Sequence, residues 1–372
     1  MIRFRIFNFI LSKILAFKRR IYIFIFGDFD PYPKHKYISY SPSDYYLKKA
    51  SSSALKLDLG VENIGNDSNW QNIARKKFTE LIHYNENLQG TVVDKMQMPI
   101  KGEYNRTRYI IKFDERYHIP VDIIKRKDIE NKKGIVICLQ GTNSGANLNI
   151  GKVRMPDDYR KIYNGAALAL QAADNGFTAV SFDRIGYGER RESKYLLENN
   201  NVSVDLGYHS LILGSTLLGD NVSEVSAVMK VIKKIISSTL PIWIVGYSAA
   251  GTVALASAAV DSGVDGIAVG GCLGFERDTI LKRRAGGLNN IPNLLDWFQQ
   301  DAQVALIAPR PSIYIAGVND HIWPFDAAEK VVESAKKVYL SMSAEEDLIL
   351  IKADGPHTYY PELMWPAVNK YF

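Results

Sequence analysis

Residues 242–251 read "IWIVGYSAAG". A run of β-branched and aromatic residues, the composition of a buried strand, breaks at Gly246 and gives way to small side chains that suit a helix. Ser248 stands at the break. A serine there is commonly a helix N-cap. The same place also suits a nucleophile held on a sharp strand-to-helix turn, its hydroxyl raised above the end of a sheet. Residues two before and two after such a serine face each other across the turn and must be small, and Gly246 and Ala250 occupy those positions. A helix starting at 249 would also set backbone N–H groups and a positive dipole end beside the hydroxyl.

From residue 134 onward, strand-like and helical runs alternate. The strand-like runs are "GIVICLQG" (134–141), "FTAVSFD" (177–183), "IWIVGYS" (242–248), "GIAVGGC" (266–272), "SIYIAG" (312–317) and "LILIKAD" (348–354). Helical stretches are expected near 157–175, near 218–238, from 249, and near 325–338. Buried β-branched strands alternating with helices predict an α/β fold, a mainly parallel sheet with helices on both faces. Ligands of such sheets bind beyond the carboxyl ends of the strands.

Three strand ends carry the chemistry. After "IWIVGY" comes Ser248; after "SIYIAG" comes "VNDHIWPFDAA" with Asp320; after "LILIKA" comes "DGPHTYY" with His357. Serine, acid and histidine in that chain order are the α/β-hydrolase triad order. His357 would act as general base and then general acid, and Asp320 would hold the imidazole tautomer. Acyl transfer also needs donors for a tetrahedral oxyanion. The backbone N–H of Ala249 is one candidate. The N–H of Thr142, in the loop "QGTNSGANLNIG" (140–151), is the other, with Gln140 and Asn143 beside it. His321 adjoins the acid but would point away from the site, and His35, His83, His118 and His209 read as structural.

Other chemistries are excluded on spacing. Gly151-Lys152 is followed by Val153, so no phosphate-binding P-loop is present, and "GYGERR" (186–191) does not fit a dinucleotide-binding glycine pattern. No His/Cys/Asp cluster has zinc-site spacing. Neither metal nor cofactor is expected. Cys138 and Cys272 lie in apolar runs and read as buried free thiols.

The 372 residues are 47% hydrophobic and 23% charged, ample for a large core. The net charge of +6 owes much to Arg3, Arg5, Lys13, Lys18, Arg19 and Arg20, all before the first acid, Asp28. A basic tail of this kind does not make the body a nucleic-acid binder. Lys13 and the 18–20 cluster interrupt residues 1–26 too often for a transmembrane helix or a signal peptide. That segment suits either peripheral contact with an anionic membrane surface or a terminal helix packed on the body. The expected location is the cytoplasm, with membrane association through residues 1–26 as the open alternative. Residues 27–60, rich in Tyr, Pro and Ser, read as irregular surface structure. "NWQNIARKKFTELIHY" (69–84) predicts a helix with Trp70, Ile73, Phe78, Leu81 and Ile82 on one face. Further strands are expected in "YNRTRYIIKFDE" and "IPVDIIKRK". Residues 1–60 are taken as an N-terminal extension and 61–372 as the catalytic domain.

Longer motifs carry a family resemblance. "SFDRIGYGERRE", "LGYHSLILGSTLLGDNVSEV" and the stretch from "GGCLGFERDTILKRR" through "ALIAPRPSIYIAG" resemble the acetyl xylan esterase-like α/β-hydrolases (abhydrolase family 7, related to dienelactone hydrolase and the prolyl oligopeptidase-type enzymes). The likeness covers roughly residues 69–372 and implies the α/β-hydrolase fold. It also implies Ser248 as nucleophile, Asp320 as acid, His357 as base, and an oxyanion loop after Gly141. The family usually has His-Gly at Gln140-Gly141, and Gly at Ala250. Arg310, in "APRP", is expected to pin the loop entering the acid-bearing strand, and Arg277 to pair with Asp278.

The reading is a serine carboxylesterase that deacetylates an acylated carbohydrate or similar small ester through an acyl-enzyme. Thioesterase or oligopeptidase-type hydrolysis with the same triad is the catalytic alternative, and a hydrolase-like binding protein the non-catalytic one. Acyl length, the alcohol and the oligomeric state are not encoded legibly.

Overall fold

The computed structural model describes residues 41–60, 68–114, 117–191, 202–236, 239–282 and 287–372, with positions 14, 17, 18, 20–22 and 25. The strands are β1 (Thr91–Gln97), β2 (Tyr104–Asp114), β3 (Tyr117–Arg126), β4 (Ile135–Leu139), β5 (Thr178–Phe182), β6 (Ile242–Tyr247), β7 (Gly266–Gly270), β8 (Ser312–Gly317) and β9 (Leu348–Ala353). The helices are α1 (Pro42–Ser52), α2 (Ser68–Ile82), α3 (Asp158–Tyr163), α4 (Leu168–Asp174), α5 (Val202–Ile212), α6 (Leu217–Ile236), α7 (Ala249–Val260), α8 (Gln300–Ala305), α9 (Phe325–Ser341) and α10 (Pro361–Asn369).

The strands form one sheet in the order β1-β2-β3-β5-β4-β6-β7-β8-β9. The pairs β1–β2, β2–β3 and β3–β5 are antiparallel. From β5 across to β9 every pair is parallel, with Ser312↔Leu348 through Gly317↔Ala353 holding the last two strands in register. Every residue of β4 through β8 is buried, because helices cover both faces. Successive side chains of a strand point to opposite faces. Ile135, Ile137 and Leu139 therefore enter one core, with α2, α6, α7 and α9, while Val136 and Cys138 enter the other, with α4 and α10.

Four expectations are corrected. Residues 42–52, read as irregular, form α1: Ser41 caps Asp44 N–H at 3.3 Å and Pro42 starts the helix. The single helix near 157–175 is two, α3 and α4. Gly165 between them has φ +93°, and a Cβ there would lie 2.5 Å from Pro361 Cγ. Ile73 faces solvent at 48% exposure while Ala74 takes the buried place, so the α2 stripe runs Trp70-Ala74-Phe78-Ile82 in steps of four. Arg277 donates to Ser53 O at 2.8 Å, and it is Lys282 that pairs with Asp278, at 2.9 Å.

Strand β1 has no signal in the sequence, being an exposed edge strand with no buried face to impose alternation. Arg310 holds the carbonyls of Ala258 at 2.6 Å, Val264 at 2.6 Å and Asp261 at 3.1 Å, fastening the end of α7 to the segment that leads into β8. The described segment after α1 is bound to the body: Leu57 N–H donates to Trp297 O at 2.8 Å and Leu59 is buried in the larger core. Residues 1–26, the segment considered for membrane contact, lie mostly outside the described residues. Among the described residues no helix is long and apolar enough to cross a membrane.

Candidate active site

Ser248 sits between β6 and α7 with φ +57° and ψ −127°. It occupies the N-cap position of α7, yet its side chain makes no cap hydrogen bond. A non-glycine residue held in that region costs about 1–3 kcal/mol and persists only where its surroundings enforce it. Here the N–H of Ser248 donates to Gly270 O at 2.8 Å, and its carbonyl accepts from Thr252 N–H at 3.1 Å. The N-cap reading therefore does not account for this serine, whose side chain is left half-buried at the sheet's carboxyl edge.

The turn is packed as the spacing requires. A Cβ on Gly246 would lie 2.9 Å from Ala250 Cβ and 3.0 Å from Ala250 C. The methyl of Ala250 thus fits only because residue 246 has none. A Cβ on Gly141 would lie 2.7 Å from Tyr247 O and 3.4 Å from Ser248 Cβ, so the loop after β4 runs directly against the turn.

Asp320 follows β8 and is 3% exposed. One carboxylate oxygen accepts the N–H groups of Ile322 and Trp323, both at 2.8 Å; the other lies 2.6 Å from His357 Nδ1. Burial pushes the Asp320 carboxyl up, but the His357 hydrogen bond and the two N–H groups outweigh it and hold the group below the ordinary carboxylate value. With Asp320 ionised, Nδ1 must carry the proton, which leaves the Nε2 lone pair free. The His357 ring lies 5.0 Å from the ring of Tyr247, the residue before Ser248, so the Asp320–His357 pair stands beside the turn. His321 is exposed, its ring edge-on to His357 at 6.0 Å.

Thr142 is exposed and Ala249 half-buried, and the backbone N–H of neither has a partner among the described residues. Both belong to segments that border Ser248.

Asp183 went unrecognised in the sequence as a site-organising residue. It follows β5, and its carboxylate accepts the N–H of Ala146 and, at 2.8 Å, that of Glu189. Gly188 has φ +57°, and a Cβ there would collide with that carboxylate, while one on Gly145 would collide with Gly188. Asp183 thus ties the loop after β4 to the loop after β5. Burial pushes its carboxyl up to about 6, against the two N–H groups and the Arg154 charge. The Asp-x-x-Gly-x-Gly spacing of "DRIGYG" was the available signal.

Among the described residues no group of three or more His, Cys, Asp or Glu could hold a metal. Cys138 and Cys272 are buried free thiols that burial keeps protonated.

No family model matches the chain. YtaP of Bacillus subtilis, provisionally named a hydrolase, is 22% identical over 188 residues, 49% of this chain. The chain spans 60% of that relative's length. A protein of Bacteroides fragilis, provisionally named an acetyl xylan esterase, superposes over 92% of this chain and 97% of its own, with TM-score 0.72 and 14% identity. A methylesterase superposes over 84% of this chain and 65% of its own, with TM-score 0.60 and 14% identity. A glucuronoyl esterase from Solibacter usitatus covers 82% and 91%, with TM-score 0.57 and 12% identity. At such identities the likeness shows the fold, which is the α/β-hydrolase fold.

Proposed function

We propose that this chain is a serine carboxylesterase with Ser248 as nucleophile, His357 as base and Asp320 as orienting acid. The observation that carries the reading is the Asp320–His357 pair, 2.6 Å apart, beside a serine held at φ +57° with no cap bond to make. Ser248 Oγ attacks the acyl carbonyl as His357 Nε2 takes its proton; the N–H groups of Ala249 and Thr142 receive the oxyanion. His357 then protonates the departing alcohol. Water, deprotonated by the same nitrogen, releases the acid from the acyl-enzyme. The substrate proposed is an acetylated carbohydrate or similar small ester, a choice favoured by carbohydrate esterases among the fold neighbours. Residues 61–372 hold every side chain of the proposed chemistry, and Leu59, just before them, is buried in the same core.

The test is hydrolysis of p-nitrophenyl acetate, butyrate and octanoate and of acetylated xylo-oligosaccharides, beside Ser248→Ala, with a serine-reactive fluorophosphonate. Acetate preference, with both turnover and labelling lost in Ser248→Ala, supports the acetylesterase reading. Octanoate preference keeps the mechanism and rejects the acetyl substrate. A wild type that neither turns over nor is labelled sinks the enzyme reading.

A further inference from the structure

We propose that Gln140 is a positioning residue, which through Tyr359 ties the loop bearing Thr142 to the loop bearing His357. The inference rests on the esterase reading above. Gln140 directly follows β4 and is 4% exposed. Its side chain is fully engaged. Nε2 donates to Asn149 Oδ1 at 2.6 Å and Ala166 O at 2.8 Å; Oε1 accepts from the Tyr359 hydroxyl at 2.7 Å and from Asn143 Nδ2 at 2.9 Å. The Ala166 carbonyl can only accept, so the amide can be oriented one way. Asn149, fully buried, passes the restraint on to the sheet, donating to Cys138 O and Ser181 Oγ, both at 2.8 Å.

The position of Tyr359 makes this more than loop packing. It lies two residues past His357, and its ring packs 5.1 Å from Tyr247, on which His357 also rests. Asn143 Nδ2 reaches the same hydroxyl at 3.3 Å. Residues 140 and 143 therefore flank Gly141-Thr142 and both bond to Tyr359. Among the described residues, every hydrogen bond between segments 140–145 and 354–360 uses that hydroxyl. One oxygen thus sets the separation between a candidate oxyanion donor and the candidate base. Displacing a donor by about 1 Å can cost 100-fold in rate, so such a restraint acts on the transition state more than on substrate binding. The hub is neutral, since an amide does not titrate and burial raises the Tyr359 phenol above its ordinary value.

The test uses Tyr359→Phe, Gln140→Met and the double variant of the full chain. It measures thermal stability, kcat and KM for p-nitrophenyl acetate, and inhibition by phenylboronic acid, which forms a tetrahedral adduct on a nucleophilic serine. Each folded single variant should lose about 10-fold in kcat with KM within about twofold, and the boronate inhibition constant should rise by the same factor. The double variant should fall by less than the product of the two singles, because the Gln140–Tyr359 bond is common to both changes. Should Gln140→Met fail to fold, Tyr359→Phe alone decides. A folded Tyr359→Phe with unchanged kcat and boronate affinity overturns the proposal, as does a loss confined to KM or to stability. Wild type that takes fluorophosphonate at Ser248 while Tyr359→Phe is indifferent overturns the positioning role alone. Wild type that neither hydrolyses nor is labelled overturns the esterase reading and this inference with it.

Discussion

His357 and Asp320 are 37 residues apart in the chain and 2.6 Å apart in space, Nδ1 to Oδ2. They meet because β8 and β9 are parallel neighbours whose carboxyl ends lie side by side. The second oxygen of Asp320 is already filled by two N–H groups, so the carboxylate cannot rotate without leaving donors unpaired.

That double engagement sets the outcome of Asp320→Asn. If the amide oxygen keeps the N–H groups of Ile322 and Trp323, the NH2 faces His357. The imidazole must then accept at Nδ1 and carry its proton on Nε2, the wrong tautomer for a base. The expected loss in kcat is about 10⁴-fold with the fold retained. Esterase assays and circular dichroism on the purified variant check it, and near-normal turnover would detach Asp320 from the chemistry.

The turn at Ser248 predicts an epistatic pair. Gly246→Ala places a methyl 2.9 Å from that of Ala250, a contact that cannot be relieved without moving the turn. We expect a loss of stability of about 1–3 kcal/mol with loss of activity. Adding Ala250→Gly removes the nearest clash and should recover part of both, although glycine in α7 itself costs about 1 kcal/mol. Urea unfolding of the two singles and the double gives the coupling, and strict additivity would contradict the packing described.

Asp183 and Asp320 respond to pH with opposite signs. The Asp320 carboxyl is held below 3.8, so its stabilisation is present above that value and is lost as pH falls through the lowered one. Asp183 is raised from 3.8 to about 6, so the fold disfavours its ionised form. Its contribution is full below its unfolded value and lost as pH climbs through about 6. Asp183→Asn does not titrate there. Wild type should therefore lose stability relative to the variant as pH rises from about 4 to about 7, then run parallel to it. Urea unfolding across that range decides the matter, and a constant difference would mean that Asp183 is not raised.

Cys138 and Cys272 should be silent to thiol reagents in the native protein. Both are buried, and burial disfavours the thiolate that does the chemistry. Ellman's reagent should titrate no thiol before unfolding and 2 after it, as the sequence contains 2 cysteines. Rapid native labelling of either would show that its strand end opens.

Legibility varied with the range of the physics involved. The strands from β4 to β8 were visible because burial on both faces demands unbroken apolar runs, and the half-buried edge strand β9 kept the apolar run of Leu348–Ile351. The helix α1 was hidden by its polar, tyrosine-rich composition, although Ser41-Pro42 was a start signal. Strand β1 was hidden because an exposed edge carries no pattern. Of the site residues proposed, Asp320 and His357, after β8 and β9, are in contact in the structure, while Ser248 and Ala249 follow β6 and Thr142 follows β4. Asp183 and the Gln140–Tyr359 bond escaped notice because their partners lie in other loops.

What the sequence determined by itself was periodicity and order: which runs are buried strands, where each ends, and which side chain follows. Those are local consequences of backbone geometry and burial, so single segments encode them. Only the tertiary structure decided which strand ends are neighbours, that Ser248 adopts φ +57° without capping α7, and that Tyr359 reaches Gln140 across 219 residues of chain. Such contacts depend on where the sheet order brings the loops, and a one-dimensional pattern carries no term for that.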